Sequence, residues 1–292
     1  MPRVAFVVND RRARDPARLH ARLARTALAA GWDPLVLATS PADPGGGMTG
    51  VALAAGSALV FAVGGDGTVR ACADVLAGTG IPLAILPLGS ANLTAHALGI
   101  PARFDAAVAI GLRGRVAPVD MAAADGMTYL AMAGMGLDAT VVGGTPDALR
   151  RAAGWLAYGA ASVRWLAAPP SSYTIVLDGK TELTREARSV VVGNAGLLPV
   201  GFMLLPDARL DDGILDVAVL APAGPADWAV VGSRVLLHSR HCDRRLERYQ
   251  ARRVEITSDA ELARQVDGEV ISPARTLVVT VRPAALLVRV PR

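Results

Sequence analysis

The chain has 292 residues, 52% of them hydrophobic and 19% charged, and a formal net charge of +4. Such a chain can bury one large core or two modest ones, and two domains are expected. With 4% aromatic residues and no recognition motif beside its arginines, it is not expected to bind nucleic acid.

Val4 to Val8 is a short β-branched run followed by an Arg/Ala/Leu helical pattern from about Pro16 to Ala30, which is one βα unit. The alternation continues through strand Pro34 to Leu37, strand Leu59 to Val63, helix Val69 to Leu76, strand Leu83 to Leu86, helix Ala91 to Leu98 and a helix near Arg103 to Leu112. It predicts a parallel sheet covered by helices on both faces. Past Asp120 the texture changes to strands separated by Gly, Pro and Asp: Tyr129 to Ala133, Tyr173 to Leu177, Ser189 to Val192, Leu215 to Leu220, Arg253 to Thr257, Thr276 to Val281 and Leu286 to Val290. One helix, about Pro146 to Leu166, interrupts them. The expectation is an α/β domain over residues 1–118 and a mainly antiparallel β domain over residues 119–292, with the boundary near Arg113 to Pro118.

Lys180 is the only lysine. A Walker A loop and a protein-kinase strand lysine are therefore both excluded, and phosphate chemistry must rely on backbone amides, hydroxyls, arginine and metal. Cys72 and Cys242 have no partner pattern of Cys or His, which fits a reducing compartment and argues against zinc. The apolar runs Val51 to Val63 and Ala152 to Ala168 fall short of the roughly 20 uninterrupted residues a membrane span needs, the second being broken by Arg164. No signal-peptide pattern opens the chain. A cytoplasmic protein is expected.

The sharpest local signal is Gly64, Gly65, Asp66, Gly67, Thr68, which leaves a strand and opens a helix. Glycines let backbone approach a phosphate, and the amides of a helix start attract an anion. Asp66 would repel that phosphate unless a metal lies between them or it accepts a proton, which suggests phosphoryl transfer. A plain strand-to-helix turn capped by Asp66 is the competing reading.

GGDGT at 64–68 resembles the motif shared by diacylglycerol, sphingosine and ceramide kinases and, more distantly, by NAD kinases. Pro87, Leu88, Gly89, Ser90, Ala91, Asn92, Leu93 through Gly99, Ile100, Pro101 is similar to the lipid-kinase P-x-G-T-x-N-D-x-A segment, with Ser90 for Thr and Leu93 for Asp. Gly134 to Ala139, then Pro206, Asp207, Ala208 with Asp212, Gly213, Ile214, Leu215, Asp216, and finally Asp267, Gly268, Glu269, resemble further motifs of the diacylglycerol kinase catalytic family in its order. The resemblance implies a Rossmann-like nucleotide domain, a β-sandwich, an active site in the interdomain cleft, and use of ATP and Mg²⁺. By that resemblance Gly64, Gly65, Asp66, Gly67 and Thr68 lie under the nucleotide phosphates, Ser90 and Thr39 donate hydroxyls to them, and Asn92 fixes its loop. Asn9 is the one residue of the family's opening N-P-x-S-G motif that survives. Asp66 is implied in catalysis, and either Asp267 or Glu269 is implied as the base for the lipid hydroxyl. Asp212, with the carbonyls of Arg209 and Ile214, is the implied metal site, structural or catalytic, with Asp120 supporting it or forming an interdomain ion pair.

The expected activity is transfer of the γ-phosphate of ATP to a hydroxyl of diacylglycerol, a sphingoid lipid or ceramide. An NAD kinase and a non-catalytic lipid- or nucleotide-binding regulator stand as alternatives, the latter because of the altered opening motif and Leu93. A lipid acceptor implies peripheral contact with the inner membrane face. Two stretches are candidates for that contact: Arg150 to Leu166 with Trp155, Tyr158 and Trp165, and the arginine cluster Arg240 to Arg253. A core helix and a solvated face are their plain alternatives.

Overall fold

A computed structural model describes residues 1–136, 169–196 and 203–292 of the chain. The expected helix at Pro146 to Leu166, with its three aromatic residues, lies outside the described residues, as do Leu137, Asp138 and Ala139. The chain divides into two units, residues 1–119 with 284–292, and residues 120–283. Residues 284–292, expected in the second domain, thus belong to the first.

In the first unit β1 (Arg3–Val8), β2 (Asp33–Ala38), β3 (Ser57–Gly64) and β4 (Leu83–Pro87) form a parallel sheet in the order β2-β1-β3-β4. The end of the chain joins it, because Val288 pairs in parallel with Leu83. β1 and β3 are almost wholly buried, and the Phe6 and Phe61 rings stack with centroids 4.8 Å apart. Helices α1 (Pro16–Ala29), α2 (Gly46–Ala54), α3 (Asp66–Leu76), α4 (Leu93–Ala97) and α5 (Phe104–Arg113) connect the strands. A side chain at Gly111 of α5 would run into the Phe61 ring, so the helix packs there without one. The apolar run Val51 to Val63 is two elements, the end of α2 and β3, separated at Gly56, whose φ of +73° lets the chain reverse. The sequence reading missed α2.

The second unit is antiparallel. Its strands are β6 (Met127–Tyr129), β7 (Met132–Gly136), β8 (Ser171–Leu177), β9 (Thr181–Ala187), β10 (Ser189–Gly193), β11 (Leu215–Leu220), β12 (Leu246–Ala251) and β13 (Arg253–Val266). β12, β11, β10, β7 and β13 are neighbours in that order, and β8 joins β13 to β9. Tyr129, Tyr173, Ile175, Val190, Val192, Val217, Ile256 and Val279 share one core. Val191, on the opposite side of β10, joins Leu205, Ala218 and Leu246 under α6 (Pro225–Leu236), through Val231 and Val235. Both faces of β10 are therefore buried, which explains its unbroken apolar run.

The boundary expected near Arg113 to Pro118 runs into β5 (Arg115–Ala124), with the units dividing between Val119 and Asp120, and the two expected C-terminal strands are one strand, β14 (Glu269–Val290). The expected strand Tyr129 to Ala133 breaks at Leu130 and Ala131, whose amides bond a side chain instead of a neighbouring strand. α6, β9 and β12 were missed because their arginines and scattered apolar residues give no clear period. Among the described residues no helix is long and apolar enough to cross a membrane; the apolar run Ala152 to Ala168 lies outside them.

Candidate active site

Asn9 follows β1, Thr39 follows β2, Gly64 to Thr68 join β3 to α3, and Ser90 to Asn92 follow β4. Four predicted nucleotide-binding segments, distant in sequence, thus occur at the carboxyl ends of adjacent parallel strands, where open α/β sheets bind ligands. Asn9 is tied to this end by its amide, which donates to the Val63 carbonyl at 2.9 Å, and its Nδ2 donates to Thr68 Oγ1 at 3.3 Å. The Thr39 amide donates to the Val8 carbonyl at 2.8 Å.

The two glycine loops approach each other through bare backbone. A Cβ at Gly89 would lie 2.5 Å from Gly65 Cα and 2.7 Å from Asn92 Oδ1; one at Gly64 would lie 2.7 Å from Thr68 Oγ1. Asn92, left-handed at φ 50°, accepts from the Gly89 amide and donates to the Gly89 carbonyl, both at 2.8 Å. This reciprocal clasp delays α4 to Leu93, two residues later than the sequence suggested. Leu93, which stands where the family motif has Asp, is buried. Ser90 and Gly67 are exposed, and a methyl group at Gly67 would meet no atom within 4 Å. Asp66 lies in the first turn of α3, where its Oδ1 accepts from the Thr94 amide at 3.4 Å.

In the second unit Asp120 is buried and joins the predicted metal loop. Its Oδ2 accepts from the Gly213 amide at 2.6 Å, and its own amide donates to the Leu210 carbonyl at 2.6 Å. Asp212 Oδ1 accepts from the Ile214 amide at 3.0 Å, and Arg209 turns its side chain to Asp211. Among the described residues no three His, Cys, Asp or Glu side chains form a metal cluster. A site here would therefore rest on the Asp212 carboxylate plus main-chain oxygens of Arg209 and Ile214, a hard-oxygen set that suits Mg²⁺.

Asp216 on β11 has the local electrostatics such an ion would relieve. Burial, with Asp212 and Asp207 nearby, pushes its carboxyl up to about 6, and its Oδ2 is buried without a hydrogen-bond partner, while Gln250 donates to Oδ1 at 3.1 Å. The folded protein holds this proton up to about pH 6, whereas an unperturbed carboxyl releases it near 3.8. This contribution to stability is thus fully present below pH 3.8 and is lost as pH rises through about 6. In metal-free buffer, Asp216→Asn is expected to flatten that decline by about 1–2 kcal/mol, measured by urea unfolding at a series of pH values.

The Asp267-Gly268-Glu269 segment is a two-residue hairpin between β13 and β14, with φ of 47° at Asp267 and 77° at Gly268. An Asp-Gly pair is what a type I′ turn favours. The Asp267 carboxylate accepts three main-chain hydrogen bonds, from Leu130 at 3.0 Å, Ala131 at 2.9 Å and Met132 at 3.1 Å. Glu269 begins β14 and is exposed. The sequence reading gave Asn194 only a weak signal and left it out of the site; it is fully buried and donates through Nδ2 to the carbonyls of Asp120 at 2.9 Å and Leu130 at 3.1 Å. It links the strand carrying Asp120 to the segment Asp267 holds. Its only sequence signal was its place at a strand end.

Residues 3–124 match the diacylglycerol kinase catalytic domain, and residues 131–290 match the YegS C-terminal NAD kinase beta sandwich-like domain. A Pseudomonas fluorescens protein named "Probable lipid kinase YegS-like" is 33% identical over 90% of this chain and 87% of its own length. The fold is similar to that of a diacylglycerol kinase from Bacillus anthracis, with a TM-score of 0.75 and 22% identity over 99% of this chain and 96% of the other. It is also similar, at a TM-score of 0.55 and 11% identity over 98% of this chain and 93% of the other, to an Archaeoglobus fulgidus NAD kinase in complex with ATP.

Proposed function

Because the chain belongs to the YegS-like lipid kinase family, with a diacylglycerol kinase catalytic domain and a YegS-type C-terminal domain, we propose that it transfers the γ-phosphate of ATP to a lipid hydroxyl. Diacylglycerol and sphingoid or ceramide lipids are the candidate acceptors. The observation that carries this reading is the pair of glycine loops at the ends of β3 and β4, where Gly65 and Gly89 meet backbone to backbone. Such loops offer main-chain amides to phosphates in a chain that lacks the usual lysine.

In this reading Gly64, Gly65, Gly67 and Thr68 cradle the phosphates, and Ser90 and Thr39 add hydroxyl donors. Asn9 and Asn92 hold their loops in place, and Asp66 organises the transferring phosphoryl group. Glu269 takes the proton of the acceptor hydroxyl, while Asp267, its carboxylate engaged by three amides, positions the hairpin that carries Glu269. Mg²⁺, when bound, supplies neutralisation of phosphate charge. Asp212 with the carbonyls of Arg209 and Ile214 would hold a Mg²⁺ ion, and Asp120 would keep their loop in shape through Gly213. A loose phosphoryl-transfer transition state asks the protein mainly for such alignment and charge balance.

The test is transfer of radiolabelled γ-phosphate from ATP with Mg²⁺ to lipids in mixed micelles, with NAD as a soluble acceptor. Asp66→Ala is expected to lower lipid labelling by about 10²–10⁴-fold while the protein stays folded, with only the small fall in melting temperature that loss of a first-turn carboxylate brings. Label in NADP would reassign the chain to NAD kinase chemistry. ATP binding without labelling of any acceptor would favour a non-catalytic regulator.

A further inference from the structure

The second unit presents a surface that phosphate chemistry does not use. α6 buries Val231 and Val235 against Leu205, Ala218 and Leu246, and the next two residues turn outward, Leu236 at 60% and Leu237 at 77% exposure. His238 follows in the left-handed region at φ 54°, so the chain leaves the helix directly behind the two leucines. Val235, Leu236 and Leu237 are consecutive, and helical geometry allows only one of three consecutive residues to face the core squarely. The two outward leucines therefore remain largely exposed in this fold. Their neighbours His238, Arg240, His241 and Arg244 are all exposed.

The arginine cluster expected at Arg240 to Arg253 divides in two. Arg245 bonds Asp227 and Asp243, both at 2.6 Å, and Arg234 bonds Asp243 at 2.8 Å. Arg248 donates to the carbonyls of Leu204 at 2.8 Å and Ser239 at 3.1 Å. These three brace the turn, and Arg234 and Arg245 hold Asp243 and Asp227 below the usual carboxylate range, the first chiefly through Arg234 and the second through Arg245. Arg240 reaches out to Asp207 with its side chain 74% exposed, and Arg244 has no ion-pair partner among the described residues. The outcome is two adjacent exposed leucines on a braced turn, with two outward arginines beside them.

We infer that the Leu236–Leu237 turn is the membrane-docking surface of this protein, fitted to an anionic bilayer. The leucines enter the boundary between headgroups and acyl chains, and Arg240 and Arg244 meet headgroup phosphates. The inference rests on the lipid kinase reading for its reason to meet a bilayer. The docking itself requires neither nucleotide nor phosphate transfer. It also replaces the broader arginine face with a smaller one in which apolar insertion and charge act together.

Co-sedimentation of the full chain with phosphatidylcholine vesicles, with and without phosphatidylglycerol, tests it. The wild type is expected to bind better when phosphatidylglycerol is present, and less well as salt rises. Leu236→Ser with Leu237→Ser is expected to weaken binding at least about tenfold with only a small change in melting temperature, because both side chains are largely exposed. Arg240→Gln with Arg244→Gln is expected to remove most of the dependence on phosphatidylglycerol and salt. Unchanged binding by the leucine variant, or no vesicle binding by the wild type, would overturn the inference. So would a wild-type dimer that the leucine changes convert to a monomer, since a second copy would then cover the turn. Phosphorylation of a water-soluble short-chain diacylglycerol separates the two readings: the leucine variant retains it. Its absence, together with no labelling of short-chain ceramide or a sphingoid base, in a wild type that still binds vesicles would overturn the kinase reading alone.

Discussion

Asp267→Ala is expected to destabilise the protein by about 2–4 kcal/mol, whereas Glu269→Gln changes stability by no more than about 0.5 kcal/mol and lowers phosphoryl transfer about 10²–10⁴-fold. The first effect follows from three amides, of Leu130, Ala131 and Met132, that lose their common acceptor next to buried side chains. Water can reach part of this partly exposed turn, which keeps the cost below three full desolvation penalties. Asp267→Asn keeps one carbonyl acceptor and is expected to fall between wild type and Asp267→Ala. Urea unfolding and the micelle assay, run on the same preparations, read the two effects separately. A stable but inactive Asp267→Ala, with an active Glu269→Gln, would exchange the roles assigned to these two carboxylates.

Gly89→Ala and Gly67→Ala are expected to behave in opposite ways although both add one methyl group to a phosphate loop. At Gly89 the new Cβ would collide with Gly65 Cα, which is backbone, and with Asn92 Oδ1, which its two hydrogen bonds to Gly89 hold in place. The loops must part, at a cost of about 1–3 kcal/mol, and misplacing them is expected to reduce turnover about 100-fold. At Gly67 the methyl group meets nothing and sits in the first turn of α3, so stability is kept or rises by about 0.5–1 kcal/mol. Space that is empty in the protein is, on the proposed reading, occupied by nucleotide. The expected result for Gly67→Ala is therefore about a tenfold rise in KM for ATP with full stability. Thermal melts and ATP titration of both variants check the pair, and an unchanged KM would remove Gly67 from the phosphate site.

The two alanines also separate structural from ligand-binding glycines, which no sequence pattern does. In the string from Gly64 to Thr68, Gly64 and Gly65 avoid clashes with Thr68 and Gly89, while Gly67 avoids none. A glycine required by packing and one required by a ligand are the same letter. The DGE segment shows the same ambiguity among carboxylates: Asp267 and Glu269 are two residues apart, yet one accepts three amide hydrogen bonds and the other stands exposed at the head of a strand.

By itself the sequence determined the α/β to antiparallel order, because a parallel sheet needs apolar runs separated by amphipathic helices and an antiparallel one needs short runs separated by turns. It also determined the phosphate-loop candidates, since glycine at a strand-to-helix junction is a local, backbone-level signal. The tertiary structure decided what depends on partners far along the chain. It set the return of residues 284–292 to the first unit, the burial of Asp120 against Gly213, and the linking of Asp120 to Leu130 by Asn194. It also divided the arginines between those that brace a turn and those that face water. Hydrogen bonds across more than a hundred residues, such as that from Ala131 to Asp267, leave no periodic trace in either segment. Periodicity records which face of an element is buried, and only the folded chain records what that face is buried against.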